Sequence, residues 1–246
     1  MSVRGHFIDN AGRLDPLRGR TRNCVARRMV CRRLAARLAA AFLLTSVWRL
    51  QHDVYYLIYF AATLAVLASY VQRSKVDLRG WLRCRWLASL VLGLAATVFV
   101  VWSVLVRVDA TPRPSGGYFA FEVVWRGLAY GVVDALLLSA FPALVALGLM
   151  RDRTDGVARR VTFGALTFAL ISVITVSYHA GYVDFRNREM VGPLFGNAVI
   201  SLPVIATANP LGSIVAHAAM HLAAVTHAYE SKDRLPPRVP ADHGRR

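Results

Sequence analysis

Two histidines four residues apart, His217 and His221, interrupt the apolar stretch 214-IVAHAAMHLAAV-225. On a helix that spacing points both imidazoles the same way. Such a pair can chelate a metal ion, or supply a base and a hydrogen-bond donor to one substrate. Two neutral imidazoles in apolar surroundings need several partners, so the pair is read as a site. Glu122 and Arg126 have the same spacing in 121-FEVVWRGLAYGVVDALLLS-139, and Asp134 lies deeper in that segment. The first two share a helical face and can pair, which would also let two charges enter an apolar medium together. Asp134 would cap or bond a neighbouring helix. His179 ends a further apolar stretch, 174-ITVSYHAGY-182, where an interfacial hydrogen-bonding role is the plain alternative to a catalytic one. Asn209 precedes Pro210 and Leu211, and is placed to cap a helix starting there, since Asn is favoured at the N-cap and Pro suits the first turn.

The elements that carry these residues are membrane spans. Of the 246 residues 56% are apolar, and the mean hydropathy is +0.42, more than an ordinary soluble core can hide. The apolar residues come in uncharged blocks such as 54-VYYLIYFAATLAVLASYV-71 and 87-LASLVLGLAATVFVVWSVLV-106. A helix of about 20 such residues rises roughly 30 Å, the thickness of the hydrocarbon core. Ionisable groups inside it cost roughly 2.5–3.5 kcal/mol each on insertion scales, so they signal a buried network.

The spans predict an all-α, polytopic transmembrane bundle with six or seven crossings and a re-entrant segment near the C-terminus. Residues 1–33 form a basic tail, with nine arginines from Arg4 to Arg33 against Asp9 and Asp15. It is expected to be disordered and held near anionic lipid on the cytoplasmic side, with translation from Met29 as the alternative. The first span is read in 29–48, uncleaved and shortened by Arg37. Residues 34–117 are the N-terminal scaffold, 118–229 a core carrying the polar cluster, and 230–246 a polar tail. Segment 118–150 is too long for one straight crossing and should tilt, or break near Pro142. Gly192, Pro193, Gly196 and Pro203 make 191–208 a broken or re-entrant helix. The basic loops 73–86 and 151–160 put their ends of the bundle in the cytoplasm, with the N-terminus. This is a multi-pass protein of the cell membrane.

The net charge of +16 lies in the tail and loops, with no basic module of interleaved aromatics, so nucleic acid is not a partner. Cys24, Cys31 and Cys84 form no metal-ligand spacing and no disulfide framework. A phosphate-binding Gly-rich loop and a serine nucleophile elbow are both missing from the sequence.

The order Glu-x-x-x-Arg-Gly, then His, then His-x-x-x-polar resembles the CPBP family. These intramembrane peptidases include CAAX prenyl endopeptidases and bacteriocin-immunity-type membrane proteins. The resemblance covers roughly 118–228. The family motif Glu-Glu-x-x-x-Arg is matched by Glu122 and Arg126, with Phe121 at the first Glu. Its Phe-x-x-x-His is matched by His179, with Thr175 at the Phe. Its His-x-x-x-Asn/Asp is matched by His217, with His221 at the last position. The resemblance implies a Glu and a His that activate water, and a later pair that stabilises the oxyanion. With Phe121 at the first Glu, the base role would fall to Glu122, with His179 orienting the water and His217 and His221 as oxyanion donors. Arg126, Asp134 and Asn209 would support them. The substrate would be a membrane-embedded peptide, and no cofactor is required.

Two other readings stand beside this one. A metal-dependent membrane hydrolase would bind zinc through His179, His217, His221 and a carboxylate. A non-catalytic scaffold or solute-binding protein would use the same polar groups as a structural network or a solute site.

Overall fold

The computed structural model describes residues 52–150, 156–181 and 185–229, and every regular element among them is helical. The basic tail, the expected first span over 29–48 and the tail 230–246 lie outside the described residues. Helix α1 (His52–Ser74) leads through the short α2 (Leu78–Arg83) into α3 (Trp86–Arg107). Helix α4 (Gly116–Leu149) is followed by α5 (Val157–His179). A 3-10 turn, Arg188–Met190, then opens α6 (Val191–Thr207), and α7 (Leu211–His227) ends the described chain.

Five of the described helices (α1, α3, α4, α5 and α6 with its leading turn) are long and apolar enough to cross a membrane. Their outward faces carry bare aliphatic side chains: on α3, Val98 is 71% exposed, and Val91, Leu94 and Val106 are also exposed. A face of that composition is stable against lipid and unstable against water. Helix α7, with 17 residues, rises about 26 Å, somewhat less than the hydrocarbon core. It is nevertheless apolar, and it packs against α3, α4 and α6.

Helix α4 runs through the middle and is buried along most of its length, whereas the other four bury about a third of theirs. It is one continuous rod, with two stretches of wider, π-type winding at Val123–Ala129 and Leu136–Ala140. The helix does not break near Pro142; it winds wider just ahead of it. A proline ring collides with the carbonyl four residues back in a regular helix, and the second π stretch relaxes the backbone just ahead of it. Segment 191–208, expected to be broken or re-entrant, is a single helix over Val191–Thr207 with Pro203 inside it. The Thr207 hydroxyl donates to the Pro203 carbonyl at 2.6 Å, and the Val204 N–H reaches Ser213 Oγ at 3.3 Å.

Small residues set where α7 lies. Gly93 on α3 faces Gly212 on α7 so closely that a side-chain carbon on either would strike the other helix's backbone. Ser89 locks this crossing: its hydroxyl donates to Asn209 O at 2.8 Å and accepts from Gly212 N at 3.0 Å. On the opposite side of α7, a Cβ at Gly131 of α4 would lie 2.7 Å from Ala218 Cα and 3.2 Å from His221 Cβ. Helix α7 is thus held between two close crossings, and its histidines sit at the second one.

Asn209 fixes the turn before α7. Its Oδ1 accepts from Leu211 N at 3.0 Å, the cap read in the sequence. Its Nδ2 also donates to the carbonyls of Leu82 and Cys84, at 2.8 and 2.7 Å, and to Trp81 O at 3.2 Å. One amide therefore starts α7 and satisfies the last carbonyls of α2.

Candidate functional site

Asp134, His217 and His221 converge: one ligating atom of each lies within 4.8 Å of those of the other two, and all three residues are buried. Gly131 brings α7 against α4, and Asp134 stands three residues further along α4. His217 and His221 lie one turn apart on the facing side of α7, with their rings stacked at 5.4 Å and 7°. His217 Nε2 is 3.1 Å and His221 Nε2 3.5 Å from the same oxygen, Asp134 Oδ2. The other oxygen, Oδ1, accepts from the Tyr59 hydroxyl of α1 at 2.5 Å. Nδ1 of His217 is buried with no hydrogen-bond partner among the described residues.

Aromatic side chains enclose the centre. Tyr130, one turn before Asp134, meets the His221 ring edge-on at 4.7 Å. Its hydroxyl is 2.9 Å from that of Tyr178 on α5, which is 3.1 Å from that of Tyr55 on α1. The Tyr59 ring lies 5.6 Å from Tyr130 and 5.7 Å from Tyr178. All four tyrosines are buried.

Glu122, Arg126 and Asn209 lie apart from this centre, whereas His179 stands close enough to interact electrostatically with Asp134 and His217. Glu122 and Arg126 pair at 2.8 Å, buried to 1% and 3% exposure. The Tyr229 hydroxyl donates to Glu122 Oε2 at 3.3 Å, and the guanidinium stacks 4.8 Å above the Tyr229 ring. Twelve residues of α4 separate Glu122 from Asp134, roughly 18 Å of helical rise. The two polar networks therefore occupy different depths. His179 stands at the end of α5 with Nδ1 2.9 Å from Thr175 O, its ring against Tyr178 and Phe185. It belongs to the rim of the tyrosine cluster and not to the three-residue donor group. Thr175 in turn accepts from Asn197 Nδ2 at 2.6 Å. Asn209 belongs to the turn between α6 and α7.

The donor set suits a metal ion. A tetrahedral zinc with bonds of about 2.0–2.2 Å spaces its ligand atoms by roughly 3.3–3.6 Å. The two nitrogen–oxygen separations, 3.1 and 3.5 Å, lie close to that edge length, and the nitrogen–nitrogen separation falls within 4.8 Å. Two imidazoles and one carboxylate leave a fourth position, the arrangement that catalytic zinc sites use to hold water. The Tyr59 hydroxyl on Asp134 is the outer contact that holds such a carboxylate in place.

Asp134 is the centre of the cluster rather than a support, and the tyrosines were not anticipated. A signal for both was present in the sequence. Tyr55, Tyr56 and Tyr59 put three hydroxyls near one side of an apolar span, and Gly127 with Gly131 is a small-residue spacing that draws helices together in membranes. No family model, curated protein or solved structure matches the chain.

Proposed function

We propose that this chain, whose five apolar helices are compatible with an integral membrane protein, is a metal-dependent hydrolase acting on an ester or amide bond within the membrane. One observation carries the reading: the ligating atoms of Asp134, His217 and His221 meet within 4.8 Å in the buried interior. Three ionisable groups are costly there, and a divalent cation would offset that cost by using all three as ligands. Zinc fits the nitrogen and oxygen donors. It would polarise a carbonyl and lower the pKa of the water it holds.

On this reading the ligands are Asp134, His217 and His221, with His179 outside the set. The peptidase resemblance is retained as a proposal of distant kinship. It is supported by the Glu122–Arg126 pairing and by the order of the histidines, and a membrane-embedded peptide is one substrate to test. The centre lies toward the end of the bundle where α1 begins and α5 ends, opposite the basic loops. With those loops cytoplasmic, the substrate would reach it from the extracytoplasmic half. An additional span over 29–48, with α7 crossing or re-entering, would give the six or seven membrane segments.

The test is metal content. Full-length protein purified in detergent without histidine tags is expected to carry close to one zinc per chain, and H217A and D134A close to none. A wild-type protein that binds no zinc, cobalt or manganese when dialysed against each sinks the proposal.

A further inference from the structure

The three hydroxyls of Tyr130, Tyr178 and Tyr55 lead from the histidine pair toward the start of α1. They lie 2.9 and 3.1 Å apart. The Tyr130 ring meets the His221 ring edge-on, beside the Tyr59 hydroxyl that donates to Asp134 Oδ1, whereas Tyr55 is in the first turn of α1, two residues after the exposed Asp53. Each ring is also held by packing: Tyr55 stacks on Tyr59 at 6.0 Å, and Tyr56 meets Tyr130 at 4.8 Å. Tyrosines this deep are costly to bury for their hydroxyls alone, since phenylalanine would fill the same space without a polar atom. Three in hydrogen-bonding succession form a wire, because each hydroxyl both donates and accepts.

We propose that Tyr130, Tyr178 and Tyr55 conduct protons between the Asp134–His217–His221 centre and the aqueous end of α1, an inference that rests on the metal reading above. Hydrolysis adds water across the scissile bond, giving a carboxylic acid and an alcohol or amine. The acid then ionises, so with an ester one proton must leave a centre walled by apolar helices. The proton reaches the Tyr130 oxygen as the Tyr130 hydroxyl proton passes to Tyr178. Tyr178 gives its own to Tyr55, and Tyr55 releases one to water. Each oxygen gains one proton and loses one, no charge stays on the wire, and rotation of the hydroxyls resets it. Tyr59, whose hydroxyl donates to Asp134 Oδ1, packs beside this path, its ring 5.6 Å from Tyr130 and 5.7 Å from Tyr178.

The experiment uses cobalt(II), whose visible bands report ionisation of a bound water, in full-length protein in lipid nanodiscs. After a rapid jump from pH 6 to pH 8.5, the wild-type spectrum relaxes as the water loses its proton. Y178F and Y55F are expected to bind one cobalt and reach the same final spectrum at least tenfold more slowly. Y70F, whose hydroxyl bonds Leu144 O outside the wire, keeps the wild-type rate. Equal relaxation rates in Y178F, Y55F and wild type overturn the wire while leaving the metal centre standing. A wild-type spectrum that does not change with pH also overturns it. Wild-type protein that takes up no cobalt defeats the metal reading, and this inference with it.

Discussion

Tyr59 donates its hydroxyl proton to Asp134 Oδ1, and this contact turns the second oxygen, Oδ2, toward both His217 and His221. A carboxylate on a single side-chain bond rotates easily, so without Tyr59 its two oxygens become equivalent. Removal of an outer-shell hydrogen bond at a metal site typically costs 10–100-fold in affinity. Y59F is therefore expected to weaken zinc binding by about that factor and, by stranding a buried carboxylate oxygen, to cost the metal-free protein about 1–3 kcal/mol. Competition with a chromophoric chelator measures the first quantity and a thermal melt the second. Unchanged affinity would remove Tyr59 from the site.

Gly131 is the contact point between the helices that bear Asp134 and the histidines. A Cβ there meets backbone atoms of α7, which cannot swing aside as a side chain can. G131A is expected to destabilise the protein by about 1–3 kcal/mol, the usual range for overpacking. It should also lower zinc affinity by spreading the donor atoms. Gly117, with open space around it, is the control: G117A should match wild type in both. A G131A protein with normal zinc affinity would mean that the histidines follow Asp134 by some route other than this crossing.

The Glu122–Arg126 pair is expected to separate folding from chemistry. Breaking a buried ion pair from one side strands the other charge, at a cost of about 3–5 kcal/mol. Removing both charges costs far less. R126A should fall sharply in folded yield, and the double variant E122Q/R126M should recover much of it. Zinc content per folded chain should remain near one in both, because Glu122 stands about 18 Å of helical rise from Asp134. Loss of zinc from the well-folded double variant would tie the two networks together.

What the sequence made legible was the set of elements. The uncharged blocks 54–71 and 87–106 are helices, and Asn209 begins α7 as its chemistry suggests. Which polar residues meet was not legible, for two physical reasons. Asp134 and His217 are 83 positions apart, and their contact depends on a glycine crossing that hydropathy does not register. The π winding at Val123–Ala129 also shifts the face on which later residues of α4 emerge, so 3.6-residue spacing does not relate Glu122 to Asp134. The tyrosines of α1 were hidden for another reason. In a hydropathy profile their rings pass as apolar, while their hydroxyls make the contacts that matter.

Asn209 offers the sharpest distinction between two roles for one side chain. As a helix cap it needs only an acceptor for Leu211 N, which aspartate supplies as well and with a favourable charge at the helix N-terminus. As a clasp on α2 it needs the Nδ2 donor, because Trp81, Leu82 and Cys84 present carbonyls to it. N209D keeps the first role, abolishes the second, and sets a negative charge against three carbonyl oxygens. The structure therefore predicts that N209D is destabilised at least as much as N209A, whose loss should be on the order of 2–4 kcal/mol from the missing cap and a stranded buried acceptor. Chemical unfolding in mixed micelles would rank them. If N209D unfolds at the wild-type denaturant concentration, the clasp contributes nothing to stability and Asn209 acts through the cap alone.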